Sequence, residues 1–128
     1  MNKITEEWRK QADYDIETAE IMFNVGRYSY AVFMCHLSVE KLLKGLYVEK
    51  QKEIPPKIHN LLYFVEKLQL SPPNYLLDFI AGLNKISVPT RYPDNLEKIL
   101  RDFNRNRVEE ILQKGKELIL WIKSQYQK

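Results

Sequence analysis

The chain has 128 residues, 45% hydrophobic and 29% charged, which predicts one soluble globular domain over residues 1–128. Its formal net charge of +3 is too small to indicate nucleic-acid binding by itself, because basic footprints come from clustered charge. The single cysteine excludes an internal disulfide. With only two histidines beside it there is little material for a zinc site, so we expect no metal and no cofactor.

The first helix is predicted from about Thr5 to Val25. Its apolar residues recur three and four positions apart, which is the spacing of one helix face. They are Trp8, Ala12, Ile16, Ala19 and Phe23. Thr5 is of a residue type that caps a helix start, and Gly26 can adopt the left-handed conformation that ends a helix. The short link after Gly26 predicts an antiparallel hairpin with the next helix.

The stretch Tyr28–Lys50 predicts a long central helix. Its apolar residues again recur at three and four, and they are Tyr28, Ala31, Val32, Cys35, Val39, Leu42, Leu43 and Leu46. The position of Cys35 on this face favours a buried, inert thiol in a reducing compartment over a reactive one.

A second stripe on the central helix is polar. His36, Glu40 and Lys44 are spaced four apart, so they form one line beside the apolar face. This line is either a solvated edge with an ion pair from Glu40 to Lys44, or a polar seam that faces a cleft.

Pro55 and Pro56 end the central helix, since a proline disfavours helical geometry in the residue before it. A short third helix is predicted from about Lys57 to Leu68, with His59 in its first turn. A charged imidazole is disfavoured near a helix N-terminus, so we expect His59 to be neutral. Such a histidine serves either in capping and packing or in catalysis.

The fourth helix is predicted to begin after Ser71, a good N-cap, with Pro72 at the first helical position. Its expected buried face is Leu76, Leu77, Ile80, Leu83 and Ile86. Ser87–Asn95 contains two prolines and is predicted to be a loop. Leu96–Phe103 is either a further helical turn or a mobile segment.

The last helix is predicted to start at Asn106 as the cap, with Glu109 three residues later, and to reach about Tyr126. Its apolar stripe is Val108, Ile111, Leu112, Gly115, Leu118, Ile119 and Ile122. No segment alternates as a strand does. The chain therefore predicts an all-α, antiparallel up-and-down bundle of four long helices plus one short helix.

Targeting segments are not evident in the sequence. No stretch has the roughly 20 apolar residues that a membrane-spanning helix needs, and residues 1–10 lack the apolar core of a signal peptide. We expect a cytoplasmic protein without membrane contact.

The segment Thr90–Asp94 is the best candidate for a binding site. Arg91 and Tyr92 lie between two prolines, which restrain the direction in which the side chains point. Arg91 offers planar donors suited to phosphate or carboxylate, and Tyr92 offers a stacking face and a hydroxyl. The alternative is a rigid connector in which Tyr92 packs on the bundle and Asp94 tethers Arg91.

Enzyme signatures such as a glycine-rich phosphate loop or a nucleophile elbow are absent. Several short motifs nevertheless follow one another over nearly the whole chain. They are Trp8, Ala12 with Asp15 and Ile16, the turn from Gly26 to Tyr28, Glu40 to Lys44, Pro55 and Pro56 before His59 and Leu61, and Arg91 to Asp94. Each motif is common alone, but in this order they resemble the HEPN family, which is named for nucleotide-binding domains of higher eukaryotes and prokaryotes.

The resemblance implies an antiparallel helical bundle that is often a homodimer and is commonly encoded beside a minimal nucleotidyltransferase, in toxin–antitoxin-like pairs. Many relatives are metal-independent ribonucleases in which a histidine follows an arginine by a few residues. Here no histidine follows Arg91, since His59 is the last one in the chain. The general acid–base partner is therefore missing at that position, and we expect no ribonuclease activity.

The leading hypothesis is a non-catalytic module that dimerises, pairs with a nucleotidyltransferase and binds a nucleotide or another phosphorylated ligand. Its expected ligand-binding residues are Arg91, Tyr92, Asp94, His59, Glu40, Lys44 and His36. The first alternative is a ribonuclease toxin in which His36 or His59 replaces the missing histidine. The second alternative is a structural bundle whose polar residues only form surface salt bridges.

Overall fold

A computed structural model describes all 128 residues, which form six α-helices and no strand. The helices are α1 (Lys3–Asn24), α2 (Tyr28–Gln51), α3 (Leu61–Lys67), α4 (Asn74–Arg91), α5 (Leu96–Asp102) and α6 (Arg105–Gln125). The all-α bundle is confirmed, with four long helices and two short ones rather than one short helix. None of the six helices combines the length and apolar content that crossing a lipid bilayer requires.

Helix α2 is the axis of the bundle, because it contacts each of the other five helices. Its predicted apolar face is confirmed, and all of these residues except the half-buried Tyr28 are buried. The predicted hairpin with α1 is also confirmed, and it turns at Gly26, whose φ of +82° favours glycine. The predicted stripe of α6 is buried along its whole length.

Helices α2 and α6 approach each other closely where Gly115 faces Cys35. A side chain at position 115 would overlap the Cys35 sulfur, so the close contact depends on glycine. Burial raises the pKa of the Cys35 thiol to about 12, which leaves it protonated at neutral pH. The expectation of a buried thiol is confirmed.

The starts of three long helices differ from the predicted ones. Asn2, not Thr5, caps α1, and its Oδ1 accepts a hydrogen bond from the Thr5 backbone N–H at 2.8 Å while the Thr5 side chain is buried. Asn104, not Asn106, caps α6. Helix α4 begins at Asn74 instead of Pro72, because Pro73 disfavours helical geometry in the residue before it.

Helix α3 is shorter than predicted. It begins at Leu61, and the Asn60 Oδ1 accepts a hydrogen bond from the Leu62 backbone N–H at 3.0 Å. Residues 57–60 are not helical, so the prediction that His59 lies in the first turn of this helix is wrong.

Helix α4 is longer than predicted, since it continues through Pro89 to Arg91. The prediction of a loop is therefore wrong for residues 87–91. Pro89 removes one backbone donor, but the Thr90 hydroxyl donates to the carbonyls of Ile86 and Ser87, both at 3.0 Å. The carbonyl that loses its backbone donor is that of Lys85, so these bonds lie in the same turn without replacing the missing one.

Beyond α4, the helical alternative for Leu96–Phe103 is confirmed by α5. The predicted inner face of α4 is mostly confirmed, but Leu77 is exposed.

Replacing Gly115 with alanine should destabilise the fold, because the new Cβ collides with Cys35 in a packed interface. We expect the free energy of unfolding to fall by about 1–3 kcal/mol, as for other overpacked cores. Urea denaturation followed by circular dichroism measures it. The control is Gly82→Ala, whose added Cβ meets no atom within 4 Å and which should add about 0.5–1 kcal/mol. Equal effects of both changes would contradict the close α2–α6 contact.

Candidate functional site

The polar line on α2 lies inside the bundle. His36, Glu40 and Lys44 are only 0%, 3% and 7% exposed, so the solvated-edge alternative is wrong. The predicted ion pair is present, and Lys44 Nζ lies 3.0 Å from Glu40 Oε2. Because burying two charges costs several kcal/mol each, such a pair needs further polar partners.

Glu40 has those partners and forms the centre of the site. His59 Nδ1 lies 3.0 Å from Oε2 and 3.1 Å from Oε1 of Glu40. His36 Nδ1 lies 3.8 Å from Oε1. One buried carboxylate therefore joins three basic side chains from α2 and from the segment before α3.

Lys44 is enclosed on two sides by aromatic rings. Its Nζ lies 5.9 Å from the centroid of Trp8 on α1 and 6.0 Å from that of Phe64 on α3. The ring faces attract the ammonium group and shield it from water, which strengthens its attraction to Glu40. Lys44 is thus committed to an internal contact.

His59 is the most accessible basic group of the site. Its side chain is 61% exposed although its Nδ1 contacts the buried Glu40 carboxylate. Its Nε2 forms no hydrogen bond within the protein. His59 lies in the segment before α3, directly ahead of its N-cap Asn60.

Two asparagines hold His59 in this position. Asn84 of α4 accepts a hydrogen bond from the Leu61 backbone N–H at 2.9 Å and donates one to Asn60 Oδ1 at 2.7 Å. These bonds fix the start of α3 on α4 and so keep His59 against Glu40. Neither asparagine was predicted from the sequence as part of the site. The only local signal was an asparagine directly before the apolar Leu61, which is typical of an N-cap.

His36 is completely buried, and neither of its ring nitrogens has a hydrogen-bond partner of good geometry. Burial lowers the pKa of its imidazole, and the nearby charges of Arg91 and His59 lower it further, while Glu40 and the neighbouring Asn84 raise it. The net effect is a neutral ring at neutral pH.

Arg91 is the last residue of α4, and its guanidinium stacks 4.8 Å from the ring centroid of Phe33 on α2. Its Nε is buried and has no hydrogen-bond partner. Arg91 lies near enough to His36 for its charge to act on that ring. The corner between α2 and α4 therefore holds three polar atoms without partners, namely Arg91 Nε and both ring nitrogens of His36.

The other two residues of the candidate segment do not turn toward this corner. Tyr92 is 73% exposed, and Asp94 is exposed and forms no ion pair with Arg91. Both contacts of the connector alternative are thus absent. The structure joins His36, Lys44 and His59 to Glu40 and brings the charge of Arg91 near His36, whereas Tyr92 and Asp94 are exposed. No group of three or more His, Cys, Asp or Glu side chains is arranged to hold a metal ion.

Comparison with known proteins gives one family and two similar solved structures. The family model described as the HEPN domain matches residues 5–125. The crystal structure of TT1696 from Thermus thermophilus is 26% identical, with a TM-score of 0.82 over 97% of this chain and 98% of that one. The crystal structure of ST0689, an archaeal HEPN homologue, is 27% identical, with a TM-score of 0.77 over 98% and 99% of the two chains. None of the curated proteins matches the chain.

The Glu40→Ala variant should lose much of its stability, because it leaves the buried Lys44 without a counter-charge. We expect a loss of about 3–5 kcal/mol in the free energy of unfolding, measured by chemical denaturation. The control is Glu20→Ala, which breaks an exposed ion pair with Lys116 and should cost less than about 1 kcal/mol. A similar, small loss in both variants would argue against a central role for Glu40.

Stability should also fall on acidification because of His36. Its pKa is lowered in the folded state from the ordinary value of 6.5, so below that pH the unfolded chain binds more protons than the folded chain. Lowering the pH in that range therefore favours unfolding. Well above pH 6.5 His36 is neutral in both states and does not contribute to the pH dependence of stability. We expect His36→Gln to show a smaller loss of unfolding free energy than the wild type between about pH 7.5 and about pH 5.5. An unchanged pH dependence would show that His36 is not a buried neutral group.

Proposed function

The chain belongs to the HEPN domain family. We propose that it is a non-catalytic helical module that binds a nucleotide or another phosphorylated ligand beside Arg91. The module also forms a homodimer and pairs with a minimal nucleotidyltransferase in a toxin–antitoxin-like system. The ligand part is supported by residues of this chain. The dimer and the nucleotidyltransferase partner are supported by the resemblance to the family alone.

The observation that carries the ligand proposal is the unsatisfied corner between α2 and α4. Arg91 Nε and the ring nitrogens of His36 are buried without a hydrogen-bond partner of good geometry, although Asn84 and Glu40 lie beside His36. Leaving a buried polar group unpaired costs about 1–3 kcal/mol, and folded proteins rarely tolerate it without a compensating ligand or water. A phosphate oxygen satisfies Arg91 with a charge-assisted hydrogen bond.

Each of the other residues has a role in this proposal. Tyr92, which is 73% exposed, can stack on a base or donate its hydroxyl, while Asp94 lies at the same rim. The exposed His59, whose Nε2 forms no hydrogen bond within the protein, is the other basic group available to a ligand. Glu40 and Lys44 are buried and ion-paired, so they hold the histidines in place and do not contact the ligand.

A second candidate function is cleavage of RNA, and one observation favours it. His59 has its Nδ1 held by a buried carboxylate and its Nε2 free, which is the arrangement of a histidine that works as a general base. In that case Nε2 takes the proton of a ribose 2′-hydroxyl, the 2′-oxygen bonds to phosphorus to give a cyclic phosphate, the P–O5′ bond breaks, and water protonates the 5′-oxygen. Arg91 would stabilise the charge on the phosphoryl oxygens.

The ligand proposal is tested by calorimetric titration with ATP, GTP, CTP and UTP at millimolar concentration. We expect at least one nucleotide to bind, and Arg91→Ala to weaken it by about tenfold or more, because a charged hydrogen bond is worth about 1.5–3 kcal/mol. Arg101→Ala removes an exposed arginine of α5 that forms no ion pair and should leave the affinity unchanged. Absence of binding by all four nucleotides would refute the ligand part.

Incubation of labelled RNA with the same proteins in EDTA separates the two candidates. Cleavage that is lost in both Arg91→Ala and His59→Gln but kept in Arg101→Ala would establish the ribonuclease. Equal background in all preparations would exclude it and leave the binding module.

A further inference from the structure

A groove lies between α4 and α6 on the surface of the bundle. It has a volume of about 240 Å³. Its walls include Phe79, Gly82 and Ile86 on α4, and Arg107, Glu110 and Lys114 on α6. Gly82 lies two residues before Asn84, which is about 200° around the helix. Asn84 and Arg91 are about two turns apart on one face of α4, so the groove lies on the opposite face from the corner beside Arg91.

Hydrogen bonds fix both ends of the groove. At one end, the Tyr75 hydroxyl of α4 donates to Glu117 Oε1 of α6 at 2.9 Å. At the other end, Arg107 Nη1 donates to the Asp102 carbonyl at 2.7 Å. Arg107 and Lys114 lie seven residues apart on α6, so the charged wall between these bonds is about 10 Å long, or about two helical turns.

Gly82 is a glycine that the chain's own structure does not require. Gly26 has a positive φ, and a Cβ added at Gly45 or Gly115 would overlap neighbouring side chains. Gly82 is exposed within α4, and a Cβ added there would meet no atom within 4 Å. Such a glycine destabilises a helix relative to alanine. Its use is that another backbone can approach closely, and only a second molecule in the groove would make that approach.

Charges of alternating sign line the α6 wall of the groove. Arg107, Glu110 and Lys114 are exposed and spaced three and four apart, so a positive, a negative and a positive group follow one another along it. None of the three belongs to an ion pair of the structure. A partner that complements this wall presents a negative, a positive and a negative group at the same spacing.

We propose that this groove docks an α-helix of a different protein, with a small side chain of that helix against Gly82. An acidic, a basic and an acidic residue of the docked helix lie opposite Arg107, Glu110 and Lys114. The charges of the groove recur about once per turn, and a helix repeats its side chains at that interval. Helix-in-groove recognition uses such residues one turn apart, and the charges select the partner.

A second copy of this chain is disfavoured as the occupant. A two-fold contact centred on the groove would bring the two copies of Glu110 together and place Arg107 of each copy opposite Lys114 of the other. Like charges that face each other across a contact disfavour binding. The inference does not depend on nucleotide binding, because Arg91 lies on the other face of α4.

The test uses the full chain and two fluorescein-labelled, alanine-rich helical peptides of about five turns. The first peptide presents glutamate, lysine and glutamate at successive turns beside a stripe of alanine and leucine. The second presents lysine, glutamate and lysine at the same positions. Further charges on the far face make both peptides neutral overall, so the net charge of the protein favours neither.

Fluorescence anisotropy measures the affinity of each peptide. We expect the first peptide to bind about tenfold more tightly than the second, or better, because only its charges complement the α6 wall. Equal binding of the two peptides, or no binding of the first at millimolar concentration, would overturn the proposal.

Two matched variants locate the contact. Gly82→Leu adds a side chain in open space, and leucine favours a helix more than glycine does, so the variant should fold. Its side chain occupies the place of the docked helix, so it should weaken the first peptide by about tenfold or more. Gln11→Leu adds the same side chain at an exposed position of α1 and should have little effect. Equal losses in both variants, or full binding by Gly82→Leu, would refute the assignment to this groove.

Sedimentation velocity of the wild type and of Gly82→Leu tests the competing occupant. We expect the same oligomeric state for both proteins. A shift of Gly82→Leu to a smaller species would show that a second copy covers the groove, and this would overturn the proposal.

Discussion

The buried carboxylate of Glu40 is the interaction on which the arrangement of the site depends. A carboxylate that is 3% exposed is stable only with compensating charge and hydrogen bonds, and here Lys44 and His59 provide them at 3.0 Å. His59 belongs to the segment before α3, so this contact ties that segment to the central helix. Removing the carboxylate would leave the buried Lys44 without a counter-charge and His59 without its contact on α2. Glu40 therefore affects both the packing of the core and the position of His59.

The basic residues of the site differ in whether their polar atoms have partners within the protein. Lys44 is enclosed by Trp8 and Phe64, so it serves the interior and is not available to a ligand. Arg91 and His36 keep buried polar atoms without partners. The positive charge of Lys44 is thus paired within the protein, whereas that of Arg91 is available to a ligand. A phosphorylated ligand beside Arg91 would complete the hydrogen bonding that the protein leaves open.

Periodicity predicted most of the fold because α2 and α6 each bury one regular apolar face, and a stripe such as Val108 to Ile122 shows that face directly. The local sequence pattern predicted the site less well where residues distant in the chain determine burial and contacts. The Glu40–Lys44 pair was expected, but its burial depends on Trp8 and Phe64 from other helices. The contact between His59 and Glu40 depends on Asn84, which is 25 residues away in the chain.

The continuation of helix α4 through Pro89 is a second feature that the local sequence pattern did not predict. A proline in a polar segment is typical of a loop, yet α4 stays helical as far as Arg91, with the Thr90 hydroxyl bonded to the carbonyls of Ile86 and Ser87. As a result, Arg91 is held by a helix and by Phe33, while Tyr92 and Asp94 lie beyond the helix end. Sequence alone singled out Arg91 together with Tyr92 and Asp94 and could not divide the segment in this way.

In the proposed function, a phosphate completes the hydrogen bonding of Arg91 in the corner beside His36. Nuclear magnetic resonance of the arginine Nε–H groups during a nucleotide titration tests this contact. If a phosphate binds there, the Arg91 Nε–H resonance shifts with saturation while that of Arg101 does not move. Saturable nucleotide binding that leaves the Arg91 resonance unchanged would contradict it.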